Sequence, residues 1–116
     1  MAQAQFNCPV EAALSFIGGK YKPIILWHLR ESPLHYMELQ RLIPRATPKM
    51  LSQQLHDLED CGMITRQVIP EKPPRTIYSL TPFGRSIIPA IGALCDWGTE
   101  YLAGQDAQTP CCTASK

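Results

Sequence analysis

A mostly helical α+β domain, in which a pair of short helices leads into a two-stranded hairpin, is the fold class this sequence predicts. Three observations carry that expectation. Apolar residues recur at helical pitch in several segments between residues 10 and 58, most clearly as Leu51, Leu55 and Leu58 at i, i+4 and i+7. After Gly62 the period changes to two, and ITRQVI (64–69) and TIYSL (76–80), rich in β-branched and aromatic residues, read as strands. Helical spacing returns after Thr81-Pro82, which like Thr47-Pro48 joins a Thr able to cap free N–H groups to a Pro suited to the first helical turn. With 116 residues, 45% of them hydrophobic, the chain has room for one core and not for two. Residues 1–103 are expected to form a single domain. The remainder, GQDAQTPCCTASK (104–116), has no periodicity and is expected to be a disordered tail.

In order along the chain, a first helix begins after Cys8-Pro9 and places Val10, Ala13, Leu14 and Ile17 on one face. Glu11 stands where the carboxylate of a capping box would, and Gly18-Gly19 ends the helix. Pro23 opens a second helix whose IILWHL run is apolar nearly all round, as in a segment enclosed by others, with Trp27 expected in the core. Glu31-Ser32-Pro33 breaks the chain. The next helix is expected to bury Tyr36, Leu39, Leu42 and Ile43, and it stops where Pro44 forces Ile43 out of helical geometry.

The helix after Thr47-Pro48 has a polar face opposite its leucines. Lys49, Gln53, His56 and Asp60 lie on it with Ser52 beside them, the cationic and amide groups gathered at the N-terminal end. Two short helices, the second with an exposed N-terminal half rich in hydrogen-bonding groups, make the pattern of a helix-turn-helix that reads DNA. A helical hairpin with a merely solvated outer face has the same spacing. Between the strands, PEKPPR (70–75) holds three prolines that stiffen an exposed connection, and Lys72 and Arg75 are expected to place positive charge at its tip. A hairpin that directly follows a reading helix is a wing, suited to phosphates or a minor groove, unless it serves only to cover the core. The expected architecture is therefore a winged helix-turn-helix with a two-stranded wing.

A final helix is expected to about Leu102, kinked at Pro89. Phe83, Ile87, Ile91, Leu94 and Gly98 mark one face, while Ile88, Cys95, Trp97, Tyr101 and Leu102 widen the apolar surface beyond what one small core uses. The excess points to a partner subunit. A two-fold homodimer built on the N- and C-terminal helices would set two reading helices on one side, and Ile87, Ile91, Leu94, Trp97 and Tyr101 are its expected contacts.

Several classes are excluded. The opening residues lack the basic start and apolar run of a secretory signal, and no stretch approaches the roughly 18 apolar residues of a membrane span, so a cytoplasmic place and no membrane partner are expected. Cys8, Cys61, Cys95, Cys111 and Cys112 are odd in number and contain no Cys-x-x-Cys pair, so reduced thiols and no metal site are expected, with Cys61 and Cys95 as packing residues. A net charge of +1 confines any nucleic-acid contact to a local patch. No nucleophile clustered with a base and no phosphate-cradling glycine loop is present, so neither an enzyme nor a cofactor is expected.

In order, Cys8, GGKYKPIILWHL, MELQRLIP, TPKMLSQQLHDLEDCGMITR, PPRTIYSLTPFG and Trp97 resemble the HxlR-type winged helix-turn-helix regulators of bacteria, relatives of the MarR group. The likeness spans about residues 8–98, and its specificity lies in the ordered combination rather than in any one piece. It implies a dimer that binds double-stranded DNA at a pseudo-palindromic operator and controls transcription, commonly as a repressor. In several members a cysteine near the N-terminus senses oxidants or electrophiles, and Cys8 occupies that position. There are departures. Members commonly have Arg followed by an aromatic where this chain has His35-Tyr36, so a phosphate contact there becomes pH-dependent or absent. Many have Gly-Ile-Ser where this chain has Arg45-Ala46-Thr47; Thr47 can still cap, Arg45 adds charge, and Pro48 removes one N–H.

The expected DNA-binding residues are Arg45, Thr47, Lys49, Ser52, Gln53, His56, Lys72 and Arg75. Lys49, Ser52 and Gln53 face the groove, where Gln bridges adenine and Lys reaches guanine or phosphate. His56, a turn further on, meets backbone, and Arg45, Lys72 and Arg75 meet phosphate or the minor groove. Cys8 lies at a helix start, where free N–H groups, the dipole and a nearby Lys20 or Lys22 favour a thiolate, and its modification would shift the first helix against the dimer helix. The alternatives are a structural Cys8 with a non-covalent small-molecule inducer bound elsewhere, and a winged-helix module whose polar helix meets another protein.

Overall fold

The computed structural model describes residues 7–104. Its elements are α1 (Pro9–Ile17), α2 (Lys22–His28), β1 (Leu34–His35), α3 (Tyr36–Leu42), α4 (Pro48–Asp60), β2 (Ile64–Ile69), β3 (Arg75–Leu80), α5 (Pro82–Arg85) and α6 (Ile88–Gly104). The fold class is the expected one: the helix pair α3–α4 runs into an antiparallel hairpin, β2–β3, in a mostly helical domain. Beyond Gly104, the expected tail lies outside the described residues.

α4 forms where its sequence signals placed it. Thr47 is extended, and its Oγ1 accepts a hydrogen bond from the Met50 N–H at 3.1 Å. Leu51, Leu55 and Leu58 are at most 1% exposed, so the i, i+4, i+7 stripe is buried in full. The helix stops at Gly62, whose φ of 84° an L side chain adopts only with strain. There the Gly62 N–H donates to the Glu59 carbonyl at 3.1 Å and the Met63 N–H to the Leu58 carbonyl at 3.0 Å, the two bonds of a Schellman stop. The turn delivers buried Met63 and Ile64 into β2.

β3 is the central strand of a sheet ordered β1-β3-β2, with Ile64 opposite Leu80 and Ile69 opposite Arg75 on one side. On the other side, Leu34 pairs with Tyr78 and His35 with Ile77. Sequence periodicity did not reveal β1, because two residues after a proline have no period. Thr81 then ties α5 to the α4–β2 turn: its N–H donates to the Met63 carbonyl at 3.0 Å and its hydroxyl to the Gly62 carbonyl at 2.6 Å. Gly84 presses against that same strand start, since a Cβ there would stand 2.0 Å from the Met63 carbonyl oxygen. The core is shared by Ile25, Leu26 and Leu29 around α2, Leu39 and Ile43 around α3, the α4 leucines, Tyr78 and Ile91.

Six expectations are corrected. Of the α1 face only Ile17 is buried, while Val10 and Leu14 are exposed. Glu11 accepts from the Asn7 N–H at 2.6 Å rather than from the capping residue Cys8. Leu42 is exposed and Tyr36 half-buried, so α3 buries a narrower stripe, and Trp27 packs at the margin of the core rather than within it. The final helix is two helices: α5 ends at Arg85, and Pro89 lies at the second position of α6, where its missing N–H has no intrahelical partner to lose, so it opens a helix instead of kinking one. Cys95 is disulfide-bonded, so the thiols are not all reduced; Cys8 and Cys61 are free.

Candidate nucleic-acid interface

α4 presents an uneven polar face. Lys49, Ser52, Gln53 and His56 are exposed along it, with Arg45 and the cap Thr47 just before its start. Arg45 and Lys49 make no ion pair among the described residues, which leaves both cations available. The second half carries Asp57, Glu59 and Asp60, of which Asp60 stands 3.2 Å from His56 Nε2 and Glu59 3.6 Å from Arg66 Nε. Positive and amide groups at the N-terminal half, carboxylates at the C-terminal half, restrict attraction for a polyanion to the first two turns.

Neighbouring elements orient these side chains. Gln53 Nε2 donates to Asp57 Oδ1 at 3.1 Å, one turn on, which leaves its second N–H and its carbonyl oxygen free to meet another group. The other Asp57 oxygen lies 3.6 Å from Lys22 Nζ of α2. Gln54 Oε1 accepts from the Tyr21 N–H at 2.8 Å, so α2 holds the inner flank of α4 by backbone as well as by packing. The Tyr36 hydroxyl of α3 stands 3.3 Å from Ser52 Oγ, fixing the angle between the two helices. Sequence reasoning missed the roles of Asp57 and Tyr36; the i, i+4 spacing of Gln53 and Asp57 was a usable signal for the first.

The wing stands beside α4 across a cleft of about 590 Å³ lined by Ser52, His56, Glu59, Asp60, Arg66 and Tyr78. Burial pushes the Tyr78 phenol above its ordinary value, so it faces the cleft floor as a neutral group. Lys72 is exposed in the connection between β2 and β3. Arg75 is not at the tip: it is the first residue of β3, and its guanidinium contacts His35 and Glu71.

The remaining expected sites lie elsewhere. Cys8 is exposed at the start of α1, but Lys22 is engaged by Asp57 and Lys20 lies over the Tyr21 ring, 5.4 Å from its centroid. Of the expected dimer contacts, Leu94, Trp97 and Tyr101 are exposed at 59%, 69% and 56%, with the last two rings stacked at 6.0 Å. Ile87 is half-buried against the core, and Ile91 is inside it, because α6 turns that side toward α2. Cys61 is half-buried and its thiol donates to the Leu58 carbonyl at 3.4 Å, a packing role.

A helix pair, a reading helix with a cationic N-terminal half and an adjoining wing are the parts of a DNA-binding domain, and the family comparison agrees. The model of the HxlR-like helix-turn-helix family matches residues 16–106. The chain belongs to that family. It is 43% identical over 106 residues to an uncharacterised HTH-type transcriptional regulator of Methanothermobacter thermautotrophicus, covering 91% of this chain and 81% of that one. Among solved structures, the redox regulator HypR in its oxidised form is 40% identical with a TM-score of 0.76, covering 80% of this chain and 96% of that one; HypR is also known in its reduced form. The reduced form of the transcriptional regulator YodB from Bacillus subtilis is 31% identical with a TM-score of 0.65, covering 83% and 95%. The family and the relatives are transcriptional regulators, not enzymes, and that accounts for the polar helix face. Among the described residues, no helix is long and apolar enough to cross a membrane.

Proposed function

We propose that this HxlR-type protein is a sequence-specific DNA-binding repressor that acts in the cytoplasm as a homodimer on a pseudo-palindromic operator. The observation that carries the reading is the turn into α4 and the helix's first half, where Arg45, Thr47, Lys49, Ser52 and Gln53 are exposed together with no carboxylate among them. Lys49, Ser52 and Gln53 enter the major groove, Arg45 and His56 meet backbone, and Lys72 and Arg75 follow phosphates on the wing side. The exposed Leu94, Trp97 and Tyr101 are covered by a second copy, which brings two reading helices to one operator. Selection of bound genomic fragments followed by a shift assay at moderate salt with competitor DNA tests this. Loss of every shift under competition overturns it in favour of a protein-binding module.

The same reading makes Cys8 the sensor of oxidants or electrophiles. Its support is that Cys8 is an exposed free thiol at the start of a helix and that relatives include a redox regulator. Operator release by diamide is expected in the parent and not in Cys8→Ser. Equal release by both removes Cys8 from the role and leaves a non-covalent inducer.

A further inference from the structure

His35 stands at a crossing of three elements that the DNA-binding reading leaves unused. It is the last residue of β1 and the N-terminal capping position of α3, and across the sheet it faces Ile77. Strand residues two apart share a face, so Arg75, two before Ile77, is its diagonal neighbour and within reach of a long side chain. The contact is made: Arg75 Nη2 lies 2.6 Å from His35 Nε2 and 3.1 Å from Nδ1. Glu38 Oε1 also stands 3.3 Å from Nδ1 and accepts the His35 backbone N–H at 2.8 Å.

Nη2 lies within 3.1 Å of both ring nitrogens, so the guanidinium rests against the imidazole as a whole rather than on one nitrogen. Arg75 is also drawn the opposite way, since Glu71 in the wing connection lies 3.6 Å from Nη1. The guanidinium is thus spread between an acid on the wing and an imidazole on the helix pair.

We propose that His35 is a positioning residue for DNA binding: set by Glu38, it holds Arg75 at the base of the wing where a phosphate can be met. The proposal rests on the DNA-binding reading above. Without His35, Arg75 collapses onto Glu71 and its charge is neutralised by an acid instead of by a phosphate. The charged groups facing the ring are Glu38 of α3, Arg75 of β3 and, behind Arg75, Glu71. Arg41, the next cation along α3, lines a hollow with Glu38.

Operator affinity is measured over a salt series for the parent, His35→Ala, His35→Gln, Arg75→Ala and the double His35→Ala/Arg75→Ala variant, each checked by thermal melting. Arg75→Ala and His35→Ala are each expected to lower the salt slope by about one unit, the double variant by no more, and His35→Gln, which restores an acceptor, to stay near the parent. Losses that add in the double variant, or a parental slope in Arg75→Ala, overturn the proposal. In the free protein, the ring-nitrogen NMR signals of His35 are expected to change in Glu38→Gln and in Arg75→Ala. A spectrum unchanged by both substitutions also overturns it. Absence of operator binding by the parent sinks the DNA-binding reading, while the spectrum alone still decides whether His35 and Arg75 are joined.

Discussion

α4 and α6 are the two longest helices of the molecule, and they treat their apolar residues in opposite ways. α4 turns Leu51, Leu55 and Leu58 into the core until none is more than 1% exposed. α6, with 17 residues, buries only Ile91, and Leu94, Trp97 and Tyr101 remain outside. Ends differ too: α4 has a Thr cap and a Schellman stop, whereas α6 opens on Ile88-Pro89. The difference teaches that, among the described residues, α4 is covered along its whole apolar stripe and α6 only at Ile91, which on the proposed function makes α4 the rigid reader and α6 the seam between copies.

That contrast is open to direct attack. The largest effect is expected from Leu55→Ala, which empties a fully buried site and lowers unfolding free energy by about 2–5 kcal/mol, whereas Trp97→Ala leaves the stability of the isolated chain almost unchanged. Urea unfolding at low protein concentration compares them, and equal losses would break the contrast. Next comes the seam. Leu94→Glu combined with Trp97→Glu puts two carboxylates into the apolar patch, so the mass by light scattering falls to one chain. Operator affinity should fall by about 100-fold or more, the usual scale of the avidity lost when two linked contacts become one. Retention of a two-chain mass in this variant would place the dimer contact elsewhere.

A smaller effect tests the precision of α4. Gly62→Ala meets no neighbour within 4 Å, so its penalty is conformational alone: about 1–2 kcal/mol for an L residue in the left-handed region. Thermal unfolding reads this as a lower Tm with operator contacts unaltered, because Gly62 lies at the end of α4 away from Lys49 and Gln53. An unchanged Tm would mean that the Schellman stop is dispensable.

What the sequence disclosed follows the same division. Residue spacing reports which face of a helix is apolar, and for α4 that was sufficient, since the caps, the leucine stripe and the following strands all agreed. It does not report what covers the face. Val10 and Leu14 on α1 have a helical stripe as good as that of α4 and yet lie outside, and Ile91, placed by spacing in the seam, belongs to the core. Arg75 looked like a tip residue because the prolines before it extend the connection; its contact with His35, 40 residues earlier, depends on a strand of two residues that no period can announce. Residue types were legible at the candidate site, while partners distant in sequence were not.

The smallest expected effect concerns α2, which packs against both α4 and α6 and so carries any softening to each. His28, at its last turn, has its imidazole held below the ordinary value of 6.5 by burial and, secondarily, by the charge of Arg30. The folded state therefore keeps His28 neutral where the unfolded chain has begun to bind a proton. The linked stability is fully present above about pH 6.5 and is lost as the pH falls from there through the lower folded value. Tm measured from pH 7.5 to 5 should fall by more in the parent than in His28→Gln, which has no proton to bind. If the two curves stay parallel, the acid sensitivity of the chain has another source and α2 does not couple its two neighbours in this way.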